Sequence, residues 1–182
     1  MSDPVDLSLL AVIDFEGSCF PSDGRSFPVE VAACRVGSGE TREWLIRPHP
    51  SWAEWTWTTS AEAVHGISRE LLDREGRPAD QVLAELCAFV EGLKVVSDSE
   101  ADQHWLGVLA EAGCGVATFR IESSAHLLKL LGVEGQTQDD ARWREADRLA
   151  RDRIPGEHRA GPDARRGAEI IRLVAGWNGY LE

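Results

Sequence analysis

Leu7-Ser8-Leu9-Leu10-Ala11-Val12-Ile13-Asp14-Phe15-Glu16-Gly17 is the stretch on which the reading of the whole chain turns. Its apolar run has the composition of a buried central strand, expected over residues 7–14. Two carboxylates follow directly. Side chains two apart on a strand share a face, so Asp14 and Glu16 project together while Phe15 faces the other way. Two like charges on one face repel unless a cation lies between them, and hard oxygen donors select Mg²⁺ or Mn²⁺. An acidic strand end in solvent would show the same Asp-x-Glu, but carboxylates emerging from a buried strand need a partner.

A second group lies far along the chain, in His158-Arg159-Ala160-Gly161-Pro162-Asp163. Five residues on one helix turn through roughly 140°, so a shared helix would not let His158 and Asp163 converge. Proline is welcome in a first helical turn and pushes the residue before it out of helical geometry. His158 is therefore placed on a loop, and Asp163 in the opening turn of a helix reaching about residue 177, where the helix dipole favours its charge. A loop histidine can act as a general base; a surface histidine and a helix-start aspartate are the ordinary alternatives. Between the two groups, Ala101-Asp102-Gln103-His104-Trp105-Leu106 contributes Asp102. Asp14, Glu16, Asp102 and Asp163 with His158 can hold two divalent cations and deprotonate a water, which is the equipment for phosphodiester hydrolysis.

In order and spacing this set resembles the DEDDh 3′–5′ exonucleases, the family of the polymerase proofreading subunit, RNase T and oligoribonuclease. Asp14 and Glu16 match its Asp-x-Glu, and His158, Ala160 and Asp163 its His-x-Ala-x-x-Asp, while Asp102-Gln103-His104-Trp105-Leu106 looks like its aspartate followed by x-x-Phe-Leu, with Trp105 at the phenylalanine position. Val64-His65-Gly66-Ile67-Ser68 is similar to its His-Gly-Ile-Thr stretch. The resemblance, across roughly residues 7–177, implies an α/β, ribonuclease H-like mixed five-stranded sheet flanked by helices. It also implies release of nucleoside 5′-monophosphates from single-stranded DNA or RNA 3′ ends. Asp14, Glu16, Asp102 and Asp163 would hold two Mg²⁺ or Mn²⁺ ions, with Asp14 bridging them and His158 taking a proton from water. Phe20 would be an apolar wedge against the terminal bases, with Ser18 and His65 on the same substrate. The chain departs from the family in two places. Ser97-Asp98-Ser99 stands where His-Asn-Ala is common, leaving Asp98 as a rival to Asp102, and Gly17 stands where threonine is common.

Net charge is −12 over 182 residues, unusual for a nucleic-acid enzyme. Residues 1–139 hold 10 basic and 23 acidic side chains, whereas residues 140–182 hold 9 basic, all arginine, and 8 acidic. Those arginines form either a positive rim beside His158 and Asp163 or ordinary helix salt bridges. Such an acidic chain should not grip long duplex DNA by itself, so short or single-stranded substrates, or a recruiting partner, fit better. No apolar run approaches the ~20 residues that span a bilayer, and Met1-Ser2-Asp3-Pro4 lacks the basic start of a signal peptide. Cys19, Cys34, Cys87 and Cys114 are scattered, as in a cytoplasmic protein with reduced thiols.

Along the chain, further strands are expected at about 27–35, 41–47, 95–96 and 116–121. Helices are expected at 60–65, 68–73, from Pro78 to about Leu93, 100–112 with Asp98 or Ser99 as cap, 123–131, 140–152 and 162–177, with a loop over Gly132–Asp139. The pattern suggests one domain. Trp52, Trp55 and Trp57 either cover the sheet or stack on unpaired bases. Phe20 has a core-facing alternative, and His65 could equally cap a helix. Glu30, inside Pro28-Val29-Glu30-Val31-Ala32, either supports the site or faces outward. Rival functions are an RNA-trimming oligoribonuclease, a non-catalytic nucleic-acid-binding protein and a polymerase-accessory subunit, though no polymerase contact is identifiable. A homodimer is common in the relatives, and nothing in the sequence proves one.

Overall fold

In the computed structural model, which describes residues 5–133, 140–156 and 158–176, the opening apolar run becomes β1, Leu10–Gly17. It begins and ends three residues later than the sequence predicts. The Asp6 carboxylate accepts from the Ser8 amide at 2.9 Å and winds Leu7–Leu9 into a 3-10 turn first. Both Asp14 and Glu16 therefore lie inside the strand. β2 (Pro28–Arg35) pairs antiparallel with β1, and β3 (Thr41–Leu45) antiparallel with β2. β4 (Lys94–Ser97) pairs parallel with β1, and β5 (Ile121–Ser123) parallel with β4. The order β3-β2-β1-β4-β5 puts the carboxylate strand in the middle of the mixed five-stranded sheet that the resemblance implied. β5 corrects the expectation of a strand over 116–121. β4 offers only Val95–Ser97 to pair with, and the chain reaches that register only at Ile121, leaving Val116 exposed.

The helices are α1 (Thr59–His65), α2 (Arg69–Glu75), α3 (Ala79–Phe89), α4 (Ala101–Ala112), α5 (Ser124–Leu130), α6 (Ala141–Arg153) and α7 (Ala160–Gly176). α3 stops short of the expected Leu93, because the chain turns through Gly92 in a left-handed conformation. α4 starts where expected, with the Ser99 hydroxyl accepting from the Ala101 amide at 3.2 Å. α7 begins two residues earlier than predicted. Pro162 still falls in the first turn, where its missing N–H breaks no helical bond. Residues 134–139 of the expected loop lie outside the described residues.

Strand alternation divides the core. Ala11, Ile13 and Phe15 pack on one face with Leu86, Phe89, Leu106 and Leu109 of α3 and α4. Leu10 and Val12 pack on the other with Ala164, Ala168 and Ile171 of α7. Asp14 and Glu16 continue that second row, toward α7. The inward side of α7 is built from small residues, and a Cβ on Gly167 would stand 2.9 Å from Val12 Cγ1. Small side chains let the helix approach the strand closely, which carries Asp163 to the carboxylate pair. The tryptophans cover the sheet. Trp52 is buried with its ring 5.2 Å from Phe27, while Trp55 and Trp57 are half-buried against the same core. No described helix is long and apolar enough to cross a membrane.

The C-terminal arginines are largely committed to ion pairs. Arg148 binds Glu145 and Asp152, Arg151 binds Asp147, and Arg153 and Arg172 share Glu169. The salt-bridge reading of these arginines holds for α6, and little of the expected positive rim is left uncompensated there.

Candidate active site

Asp14 and Glu16 from β1 meet Asp163 from the first turn of α7. One carboxylate oxygen of each lies within 4.8 Å of the other two. Asp163 is held from both sides: Oδ2 accepts from the Arg159 amide at 3.2 Å and Oδ1 from Arg166 Nη1 at 2.7 Å. His158 precedes α7 with a left-handed backbone, φ 58°, a conformation rare outside glycine. It lines a cavity of about 540 Å³ together with Asp14, Asp98, Asp163 and Arg166. Arg166 entered the sequence reading only as one of the nine C-terminal arginines; its pairing with Asp163 was signalled only by their i,i+3 spacing.

Asp102 is buried just beyond this trio, in the first turn of α4. One of its oxygens accepts from the Ser97 hydroxyl, and the other, Oδ1, has no hydrogen-bond partner. Asp98 instead lines the open cavity. Val12 pairs with Val96, so Asp14 lies two residues further along β1 and Asp98 just past the end of the adjacent parallel β4. The structure thus brings Asp14, Glu16 and Asp163 together, sets His158 and Asp98 on the cavity wall, and buries Asp102 outside the cavity lining.

Crowding shows in the protonation of these groups. Burial, then Asp102, Glu16, Asp163 and Asp98, raise the Asp14 carboxyl well above its usual range. Burial, Asp163, Glu30 and Asp102 push Glu16 up to about 8, against some relief from Arg159. Burial and Asp98 push Asp102 up to about 7, although the Ser97 hydroxyl holds it down, and burial raises Asp163 despite Arg166. The folded chain therefore keeps protons that the unfolded chain has released. Stability is lost as pH rises through the window from the ordinary carboxylate range to about 8. In EDTA the protein is expected to melt at a higher temperature at pH 5.5 than at pH 8, and Mn²⁺ should narrow that gap by neutralising the cluster. Thermal melts at both pH values, with and without Mn²⁺, check this; a higher melting point at pH 8 in EDTA would contradict it.

The three residues expected to meet substrate have different settings. Phe20 is 64% exposed, with its ring 6.4 Å from that of Trp105. Ser18 is buried, and its hydroxyl accepts from the Phe27 amide at 3.0 Å, so it braces the end of the β1–β2 pair away from solvent. His65 is buried at the end of α1. Its Nδ1 accepts from the Ile67 amide at 3.0 Å, a helix-end role, and burial lowers its pKa. Gly17, the departure from the family's threonine, has a steric cause. A Cβ there would overlap the Trp105 indole, 2.5 Å from Cε2, while Trp105 Nε1–H donates to Ser26 Oγ at 2.8 Å. Gly17→Ala is expected to destabilise the fold by about 1–3 kcal/mol through overpacking, with part recovered by Trp105→Phe. Denaturant unfolding of the single and double variants measures both effects.

No protein-family model matches the sequence, and no curated protein does. Solved structures do match. One structure of exonuclease I superposes with a TM-score of 0.68 at 12% identity, over 91% of this chain and 40% of that one. E. coli exonuclease I in complex with a dA16 oligonucleotide gives 0.65 at 12% identity, over 91% and 42%. The nuclease domain of 3′hExo, a DEDDh family member bound to rAMP, gives 0.63 at 16% identity, over 93% and 92%. The chain spans about two fifths of the length of exonuclease I but nearly the whole 3′hExo nuclease domain. With its central β1, mixed sheet and flanking helices, the chain has the ribonuclease H-like α/β fold of these exonucleases.

Proposed function

We propose that this protein is a divalent-metal-dependent 3′–5′ exonuclease that removes nucleoside 5′-monophosphates from single-stranded DNA or RNA ends. The observation that carries the reading is the convergence of Asp14, Glu16 and Asp163 within 4.8 Å, beside a cavity that His158 also lines. Uncompensated, three half-buried carboxylates repel. Their oxygens, with the unpartnered Oδ1 of Asp102, make a hard-donor set suited to Mg²⁺ or Mn²⁺. Two such ions held by Asp14, Glu16, Asp102 and Asp163 would offset that charge and supply Lewis-acid activation of water and phosphate. His158 accepts the proton of the attacking water at a ring nitrogen. The exposed Phe20 offers a face to the terminal base. A chain of net charge −12 suits short or single-stranded ends better than long duplex. The oligonucleotide bound by exonuclease I and the rAMP bound by 3′hExo lie on the same fold and support this substrate class.

The test is a gel assay on 5′-labelled single-stranded DNA and RNA of matched sequence, with Mn²⁺ or with EDTA. A ladder shortening from the 3′ end in Mn²⁺ alone is expected, and the faster strand names the preferred sugar. Asp102→Asn is expected to remove the ladder while Asp98→Asn keeps most of it; the reverse would move the fourth carboxylate to Asp98. Absence of a ladder on both strands, with no Mn²⁺ binding, would sink the proposal.

A further inference from the structure

Glu30 is almost fully buried, yet it sits on β2 directly opposite Glu16, carboxylate beside carboxylate. Its two oxygens are taken up by one short segment 129 and 130 residues away. Arg159 Nε donates to Oε2 at 2.9 Å and Nη2 to Oε1 at 2.5 Å, and the Ala160 amide donates to Oε2 at 2.9 Å. The forked geometry gives direction as well as attraction. The gripped residues stand between the two functional groups of the segment. His158 precedes them in its left-handed conformation, and Asp163 follows, its Oδ2 accepting from the Arg159 amide. An unusual backbone conformation persists only where its surroundings hold it, and Glu30 ties the two residues that follow His158, Arg159 and Ala160, to the sheet.

We propose that the Glu30–Arg159 pair is a clamp that positions His158 for proton transfer, a role that rests on His158 being the base of the proposed exonuclease. Glu30 is a positioning residue: it touches no reacting atom, and it acts by fixing the 158–160 backbone against β2. Asp163 has its own second anchor in Arg166, so loss of the clamp falls chiefly on His158.

The variant to make is Glu30→Met, which keeps the bulk and removes both oxygens. The Arg159 side chain is 42% exposed and can swing into water, so the buried methionine should leave the fold intact. Three results are expected. The Ala160 amide should exchange with solvent at least about tenfold faster, relative to core amides of α7, because its acceptor is gone. Mn²⁺ affinity should stay within about threefold. Nucleotide release should slow at least about tenfold in the wild-type background and less than about twofold in His158→Ala, the non-additivity of two residues acting as one unit. Equal slowing in both backgrounds would overturn the clamp, as would unchanged exchange at Ala160. If Glu30→Met does not fold, Arg159→Lys keeps the charge and loses the fork; the Ala160 amide keeps its Glu30 acceptor there, so this variant is read by Mn²⁺ affinity and by the slowing of nucleotide release in the wild-type and His158→Ala backgrounds. If the wild-type protein neither releases nucleotide nor binds Mn²⁺, the exonuclease reading fails, while Ala160 exchange still decides whether Glu30 holds this segment.

Discussion

Asp14→Asn is expected to abolish tight Mn²⁺ binding and to cut nucleotide release by at least about 10³-fold, beyond the roughly 10–100-fold cost of losing a group that only supports a metal ligand. Asp14 is central to the cluster: Asp102, Glu16, Asp163 and Asp98 all act on its carboxyl. The amide keeps the shape and gives up the charge, so the loss would not come from a cavity. The same substitution should stabilise the metal-free fold at pH 8, because a half-buried carboxyl crowded by four others is replaced by a neutral amide. A rise in melting temperature of roughly 4–8 °C in EDTA corresponds to a gain of about 2 kcal/mol for a chain of this size. Calorimetric Mn²⁺ titration, a rate assay and an EDTA melt on one preparation test all three. A variant that binds Mn²⁺ normally would remove Asp14 from the metal site.

His158→Ala should behave in the opposite way toward metal. His158 lies on the cavity wall outside the carboxylate trio, so Mn²⁺ affinity should change less than about threefold. Turnover should fall by about 10²–10⁴, the usual contribution of a positioned general base. The loss should appear in kcat more than in KM, since the imidazole meets the attacking water and not the body of the substrate. Raising the pH should recover part of the rate, as hydroxide supplied by solvent takes over the proton transfer. Wild-type turnover at neutral pH would overturn the assignment.

Local rules carried much of this far. Strand alternation put Asp14 and Glu16 on one face, and Pro162 placed Asp163 in a first helical turn with His158 outside it. The ordered motifs anticipated the mixed five-stranded sheet. The first two features depend on bonding and backbone geometry over a few residues, so the amino-acid sequence by itself determined them; the five-stranded sheet was anticipated only through the family resemblance that the motifs carry. Other features depend on what arrives from elsewhere in the chain. The start of β1 moved because Asp6 caps a turn, and β5 moved because only β4 sets its register. A side chain at Gly17 would be crowded by the Trp105 ring, 88 positions away. The bare pattern of residue types showed neither the grip of Glu30 on Arg159 nor the difference between a buried Asp102 and an open Asp98. Tertiary structure decided these, because close packing of α7 and α4 against one strand sets which charges are desolvated and which side chains share the same few ångströms.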